Sequence, residues 1–374
     1  MKRILSLLIV IFFYACQSND PDFINNPDFK TDRYGQFKID TLFAVKDSTF
    51  FADTVNTNNA SRLSMARMGG MSAGFVVKYL DLPADTVDVT AARLRLTTLG
   101  HFGDEGDDVM VDMYNVTALW DAKDNINGET IWHENPPISF LKTVTFTLQD
   151  SGVTEIEIEP SLIKTWQGND SLNYGFYFTL NPSENNRNVE IGARSSAFGP
   201  QLVYAYNDTS DTVKATNDAT IFDYDRENGI IFNENGGYLA SGIAMRYLLR
   251  FDLSQISEKA IIYNANLAIP YDPDFSYRNP NKTEAFTFKA YEDFNADDQN
   301  PGYALNMYTG SGVTRVSNQP ALATDFIQPM RNGDISHQWF ALQFTSESDV
   351  FSAMHFYGVD SDKKPMLIIK YLEK

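Results

Sequence analysis

At 374 residues, 43% hydrophobic and 13% aromatic, the chain is long enough for two ordinary domains with full cores and too apolar to be disordered. Its formal charge of −19 makes a surface that repels phosphate backbones, so nucleic-acid binding is disfavoured. A soluble acidic surface is enough to account for that charge.

Residues 1–15 have the build of a targeting segment. Lys2 and Arg3 form a positive end, and residues 4–15 are an almost unbroken apolar run too short to span a bilayer. The single cysteine, Cys16, follows at once, and then the polar stretch QSNDPDF. This arrangement resembles a bacterial lipoprotein signal, with Phe13, Tyr14 and Ala15 in the positions before the lipidated Cys. Ala15 fits the small-residue preference, and the bulky Phe13 and Tyr14 resemble the looser signals of Bacteroidetes-type lipoproteins. The resemblance implies an acyl chain on Cys16; an ordinary signal peptide with an incidental Cys is the alternative. Gln17, in place of Asp, argues by the same resemblance against inner-membrane retention. The expectation is an outer-membrane, lipid-anchored protein facing the cell surface, with residues 16–34 as a polar tether.

Strand-like patches begin near residues 37–45. Residues 75–96, FVVKYLDLPADTVDVTAARLRL, then read as a strand, a turn-rich link and a second strand, and they return as YLLRFDLSQISEKAIIYNANLAI at 247–269. Phe75, Val77 and Tyr79 share one face, as do Tyr247, Leu249 and Phe251, with Lys78 and Arg250 on the other. In the second strands Ala92, Leu94 and Leu96 oppose Arg93 and Arg95, as Ala265, Leu267 and Ile269 oppose Asn266 and Ala268. Val109, Val111 and Met113 alternate with Asp112 and are matched to Phe286, Phe288 and Ala290. Residues 155–159 form an amphipathic strand with Ile156 and Ile158 on its apolar face. Pro160 and Gly168 bracket a short helix. Phe176, Phe178 and Leu180 are echoed by Phe340, Leu342 and Phe344, and Pro200, Leu202 and Tyr206 by Pro365, Leu367 and Tyr371.

The period is that of a domain duplication. Short strands with turn signals and almost no helical periodicity predict an all-β chain of two tandem β-sandwich (jelly-roll) domains. The expected boundaries are 1–15 leader, 16–34 tether, 35–207 first sandwich, 208–217 linker and 218–374 second sandwich. Several motifs follow in order: VVKYLDLP (and LLRFDLSQ in the second half), A-x-L-x-L, the Trp pair of ALWDAKDNINGETIWHENPP, the helix of SLIKTWQGNDSLNYGF, and a closing P-x-L-x-Y strand. That order resembles the DNRLRE-type domain, a jelly-roll module of bacterial surface and secreted proteins, some of them carbohydrate-binding modules that include alginate binders. The likeness covers most of 56–206 and, less fully, 218–371; the eponymous hexapeptide is absent and the second half lacks the Trp pair.

No catalytic constellation stands out. His101, His133, His337 and His355 are scattered and none lies in HExxH; no G-x-S-x-G elbow and no phosphate-cradling Gly-rich loop occurs. The chain is therefore expected to be non-catalytic and to need no cofactor. Two acidic stretches, 104–108 and the Asp293, Asn295, Asp297, Asp298 run, carry the oxygen donors a structural Ca²⁺ takes. In the second, Asp298 stands where a calcium loop needs Gly and no Glu closes it, so solvated turn carboxylates are the favoured reading. For sugar binding the chemistry asks for an aromatic platform beside polar groups. The candidates are Trp120 and Trp132, for which core packing is the competing role, and the loop 270–284 with Tyr271, Phe275, Tyr277 and Arg278. The expected partners are a membrane through the lipid and a polysaccharide or a surface protein. The leading expectation is a non-catalytic surface lipoprotein that binds a glycan or cell-surface polymer. A structural or adhesion spacer holding a protein partner is the alternative, with a polysaccharide-degrading enzyme behind both.

Overall fold

The computed structural model describes residues 35–51, 55–121, 130–149, 151–224, 236–243, 245–278, 285–291, 305–310, 312–316, 319–334, 339–348 and 351–373. The chain is nearly all β, built as two large, curled, antiparallel sheet systems in a jelly-roll-like sandwich. The first system holds β2 (Arg62–Met68), β3 (Met71–Lys78), β4 (Ala91–Gly103), β5 (Asp108–Val116), β6 (Ile138–Thr147), β7 (Val153–Ile158), β8 (Phe176–Leu180), β9 (Arg187–Gly192), β10 (Gln201–Tyr206), β11 (Thr209–Lys214) and β12 (Asn217–Tyr224). The second holds β1 (Gln36–Phe51), β13 (Gly236–Ala240), β14 (Met245–Phe251), β15 (Ile261–Tyr277), β16 (Ala285–Tyr291), β17 (Leu305–Gly310), β18 (Val313–Val316), β19 (Trp339–Phe344), β20 (Ala353–Tyr357) and β21 (Met366–Glu373). Two short helices, α1 (Thr130–Glu134) and α2 (Pro160–Gly168), belong to the first half, and α2 starts on the expected proline.

The second system repeats the first pairing by pairing. β4 lies between β10 and β7 along its first part, then turns onto β9 after an irregularity between Thr98 and Gly100. β15 does the same, against β21 and β18 and then β20. Leu94 sits opposite Leu202 as Leu267 sits opposite Leu367. Phe75 sits opposite Phe178 as Tyr247 sits opposite Leu342. One equivalence differs from the sequence reading by two residues, because Phe286 and Phe288 take the places of Val111 and Met113. A slip of two keeps every side chain on its face, so the pattern alone does not register it.

The strands cross the boundaries expected from sequence. β1 precedes the first system yet belongs to the second, pairing with β21 over 36–43 and with β14 over 44–51. The stretch read as a linker, 208–217, instead supplies β11 on β10, and β12 runs on to pair with β3. Thus β1 covers the second half as β11 and β12 cover the first. The attachments are alike in detail. The Ala44 N–H donates to the Pro365 carbonyl and the Ala215 N–H to the Pro200 carbonyl, each at 3.0 Å. Leu42 and Ala44 enter the second core, Val213 and Ala215 the first. Asp47 accepts the N–H of Val359 at 3.1 Å, and Asp218 accepts that of Arg194 at 2.5 Å.

This covering also corrects the expected outward position of Lys78. Asn217 lies opposite it, Thr216 donates to its carbonyl, and its side chain is buried. Between the halves lies a third apolar cluster that includes Ala66, Met68, Phe102, Phe222, Tyr238 and Phe351. Each half presents a left-handed glycine to a ring of the other system. Gly69 (φ +58°) takes Tyr277, and Gly242 (φ +77°) takes Phe222; a Cβ would stand 2.2 Å and 2.3 Å from those rings. Only glycine combines that backbone conformation with so close an approach.

Candidate functional site

The aromatic residues singled out from sequence are not gathered into one site. The 270–284 stretch is no loop at its start, since β15 continues to Tyr277. Tyr271 is driven into the core beside Phe356, and Tyr277 closes on Gly69. Arg278 donates from Nη2 to the Tyr271 hydroxyl at 3.1 Å and lies over that ring at 5.6 Å. Phe275 alone keeps a substantial open surface, 41% exposed, while its edge meets His355 at 6.3 Å. His355 is itself buried and stacked on Tyr238 at 4.6 Å, and burial lowers its pKa and keeps the ring neutral.

Trp120 and Trp132 are 4% and 6% exposed, so neither offers a face to a sugar. They pack with Val76, Ala219 and Ile221 on the far side of β3, and Trp120 Nε1 donates to the Tyr174 carbonyl at 2.6 Å. β12 brings Ala219 and Ile221 there, so the covering strand is what turns the Trp pair into core.

The acidic turn 104–108 is organised by a cation of the chain's own. Arg187 donates to the carbonyls of Glu105 (2.8 Å), Gly106 (3.4 Å) and Asp108 (3.2 Å), and Asn186 donates to Asp104 at 2.6 Å. Three of the turn's carbonyl oxygens therefore face a guanidinium, and the Asp108 carboxylate accepts from the Thr147 hydroxyl at 2.8 Å. Residues 293–298, Cys16 and His337 lie outside the described residues. Among the described residues no group of three or more His, Cys, Asp or Glu side chains is placed to hold a metal.

A different surface combines openness with polar chemistry: the outward face of β10, β4 and β7. Alternation builds it. Leu94, Leu96, Ile156, Ile158 and Leu202 point into the core, which sends Arg93, Arg95, Glu155, Glu157, Gln201 and Val203 outward. Arg95 Nε approaches Glu155 at 3.1 Å and Arg93 Nε the same carboxylate at 3.4 Å. The Lys142 amine donates to the Glu157 carbonyl. A depression of about 400 Å³, with Thr90, Arg93, Lys142, Glu157, Glu159 and Ser210 on its walls, opens at one end of the face. A smaller one of about 240 Å³ at the other end lies between Arg95, Thr97, Gln201 and the half-exposed ring of Phe198.

Two guanidiniums on one carboxylate leave N–H donors directed at solvent, and each guanidinium carries five. Planar donors of this kind suit carboxylates and vicinal hydroxyls. The charged alternation of β4 and β7 was legible in the sequence. That the two strands adjoin, and that Phe198 borders them, was not, because both depend on long-range pairing.

No family model matches the chain, and no curated protein matches it. Among solved structures it is similar to the nodavirus of Macrobrachium rosenbergii (8% identity, 90% of each chain covered, TM-score 0.13). It is also similar to the coconut allergen cocosin (9% identity, 90% of this chain and 86% of that one, TM-score 0.13). A third is vicilin from Solanum lycopersicum, tomato (7% identity, 91% and 84% covered, TM-score 0.13). Likenesses at this level carry no argument about what the chain does.

Proposed function

We propose that the chain is a non-catalytic, lipid-anchored outer-membrane protein made of two copies of a DNRLRE-type jelly-roll module, and that the β10–β4–β7 face holds an acidic, hydroxyl-rich glycan. The observation that carries the binding reading is the Arg93–Glu155–Arg95 cluster beside an open depression of about 400 Å³, on a chain whose formal charge is −19. Arg93, Arg95 and Lys142 offset Glu155, Glu157 and Glu159 on this face, which on so acidic a protein makes it a less repulsive place for an anionic polymer than the rest of the surface. The pairing-by-pairing repetition supports the duplication, and the placement of Cys16 after an apolar leader supports the anchor.

Affinity electrophoresis against uronate and neutral polysaccharides is the test. Retention by the uronate polymer, weakened about tenfold in the double variant Arg93→Ala, Arg95→Ala, is the expected result. No retention by any polysaccharide, or retention indifferent to both arginines, would remove the reading.

A further inference from the structure

The equivalent outward face of the second half has an opposite character. Leu42 and Ala44 of β1 point into the core, so the alternate row Phe37, Ile39, Thr41, Phe43 and Val45 points out. Phe37 is 73% exposed, Ile39 64%, Phe43 52% and Val45 50%. Beside them on β21 lie Leu372, Lys370, Ile368 and Met366, each paired across to this row, and Ile261 and Tyr263 of β15 flank Leu372. The strand spacing and rise make this face roughly 15 Å by 25 Å. A patch of a few hundred Å² is the size of the largest apolar patch on a typical monomer, and such patches are often functional.

Charge narrows what covers it. Lys370 and Arg315 both face outward here and are exposed, and among the described residues the outward positions of β1, β21 and β18, and of β15 where it pairs with β21 (261–268), hold no carboxylate; Asp272 and Asp274 lie further along β15. On a chain of charge −19 that is a local reversal of sign. A second copy seated symmetrically would bring Lys370 against the same cationic face with no acid to meet it. A bilayer surface offers acyl chains for the apolar row and headgroup anions for the two cations. The position of the row agrees: the chain enters β1 at Gln36, beside Phe37, at the end of the polar stretch that begins at Cys16. That stretch is 19 residues long, so in sequence the row begins close to Cys16.

We infer that the outward face of β1, β21 and β15 rests on the anionic lipid surface to which the chain is tethered. The inference rests on the reading of Cys16 as the anchor, and its test separates the two. The chain from Gln17 to the carboxyl terminus retains every described strand and lacks both the acyl site and the apolar leader. It is mixed with phosphatidylglycerol-containing vesicles and with pure phosphatidylcholine vesicles. Flotation with the former is expected, with a blue shift from an environment-sensitive probe on Ile39→Cys, which is then the only thiol. The triple variant Phe37→Ser, Ile39→Ser, Phe43→Ser should lose at least about tenfold in flotation while keeping its thermal transition. Absence of flotation, flotation indifferent to the triple substitution, or a dimer that shields the probe without lipid would each overturn it. Mass spectrometry of the mature amino terminus reports on the anchor alone, because an unacylated Cys16 would end that reading and leave the flotation result standing.

Discussion

The outward row Ile39, Thr41 and Phe43 of β1 occupies the positions that Ser210, Thr212 and Lys214 occupy beside β10. One row is oily and the other polar, yet the inward partners of both are nearly the same: Leu42 and Val213, Ala44 and Ala215, Asp47 and Asp218. The inward positions are held by the core and by backbone N–H groups that must be satisfied, so the two halves agree there. The outward positions answer only to what lies outside, and there they have parted. Architecture is common to the halves; the surface chemistry is what distinguishes them.

The sharpest test of the shared part is the covering strand itself. Leu42 is 2% exposed in the second core and Val213 8% exposed in the first. Leu42→Ala should cost about 2–5 kcal/mol and Val213→Ala about 1–2 kcal/mol by chemical denaturation. Equal and negligible losses would mean that neither strand is part of its core.

Next in size is the paired aspartate. Burial pushes the Asp218 carboxyl up to about 6, against the opposing pull of the Arg194 N–H and guanidinium, which approaches at 3.2 Å. Asp47 is raised by burial too, but Val359 stands where Arg194 stands and supplies the N–H without a cation. A carboxyl raised in the native state holds its proton there when the unfolded chain has already lost it. Stability therefore falls as pH rises from about 4 to about 6, by about 3 kcal/mol for Asp218. Urea titrations across that window should show Asp218→Asn flattening the slope. A slope unchanged by the substitution would count against the burial of this carboxyl.

The contact between the halves is probed by glycine. Gly242 has φ +77° and Phe222 at 2.3 Å from its would-be Cβ, whereas Gly333 has φ +80° and nothing within 4 Å. Gly333→Ala carries the backbone cost alone, about 1 kcal/mol, and Gly242→Ala should exceed it by roughly 1–2 kcal/mol as the ring is displaced. Matching losses at the two sites would place Phe222 elsewhere.

Much of the fold was legible because strand alternation survives in one sequence. Leu94 against Arg93 and Arg95, Ile156 against Glu155, and the helix begun by Pro160 all follow from periods of 2 and 3.6. The reciprocal covering of one half by a strand from outside it was not legible, since alternation states which face a residue takes and never which strand lies beside it. Pro270 and Pro273 made the end of β15 read as loop, because proline lacks the N–H a strand donates. The strand continues nonetheless, with Tyr271 buried in the core and Tyr277 lodged on Gly69. The glycan platform sought in aromatic residues went astray for a related reason, as the two tryptophans are covered by residues far along the chain.

The smallest expected effect decides the most about β1. Read by pattern alone, Phe37, Ile39, Phe43 and Val45 form the more apolar row and would be placed inward, with Lys38 and Asp40 facing water. The structure reverses this because Leu42 and Ala44 meet the second core and Asp40 accepts the Tyr371 hydroxyl at 2.6 Å. A slip of one residue in the pairing with β21 would exchange the rows completely. Ile39→Ser therefore separates the two registers. With Ile39 outward, its loss should change stability by less than about 0.5 kcal/mol, as at an ordinary surface position. With Ile39 inward it should cost as much as Leu42→Ala, and the oily face would vanish from the second half along with everything that distinguishes it from the first.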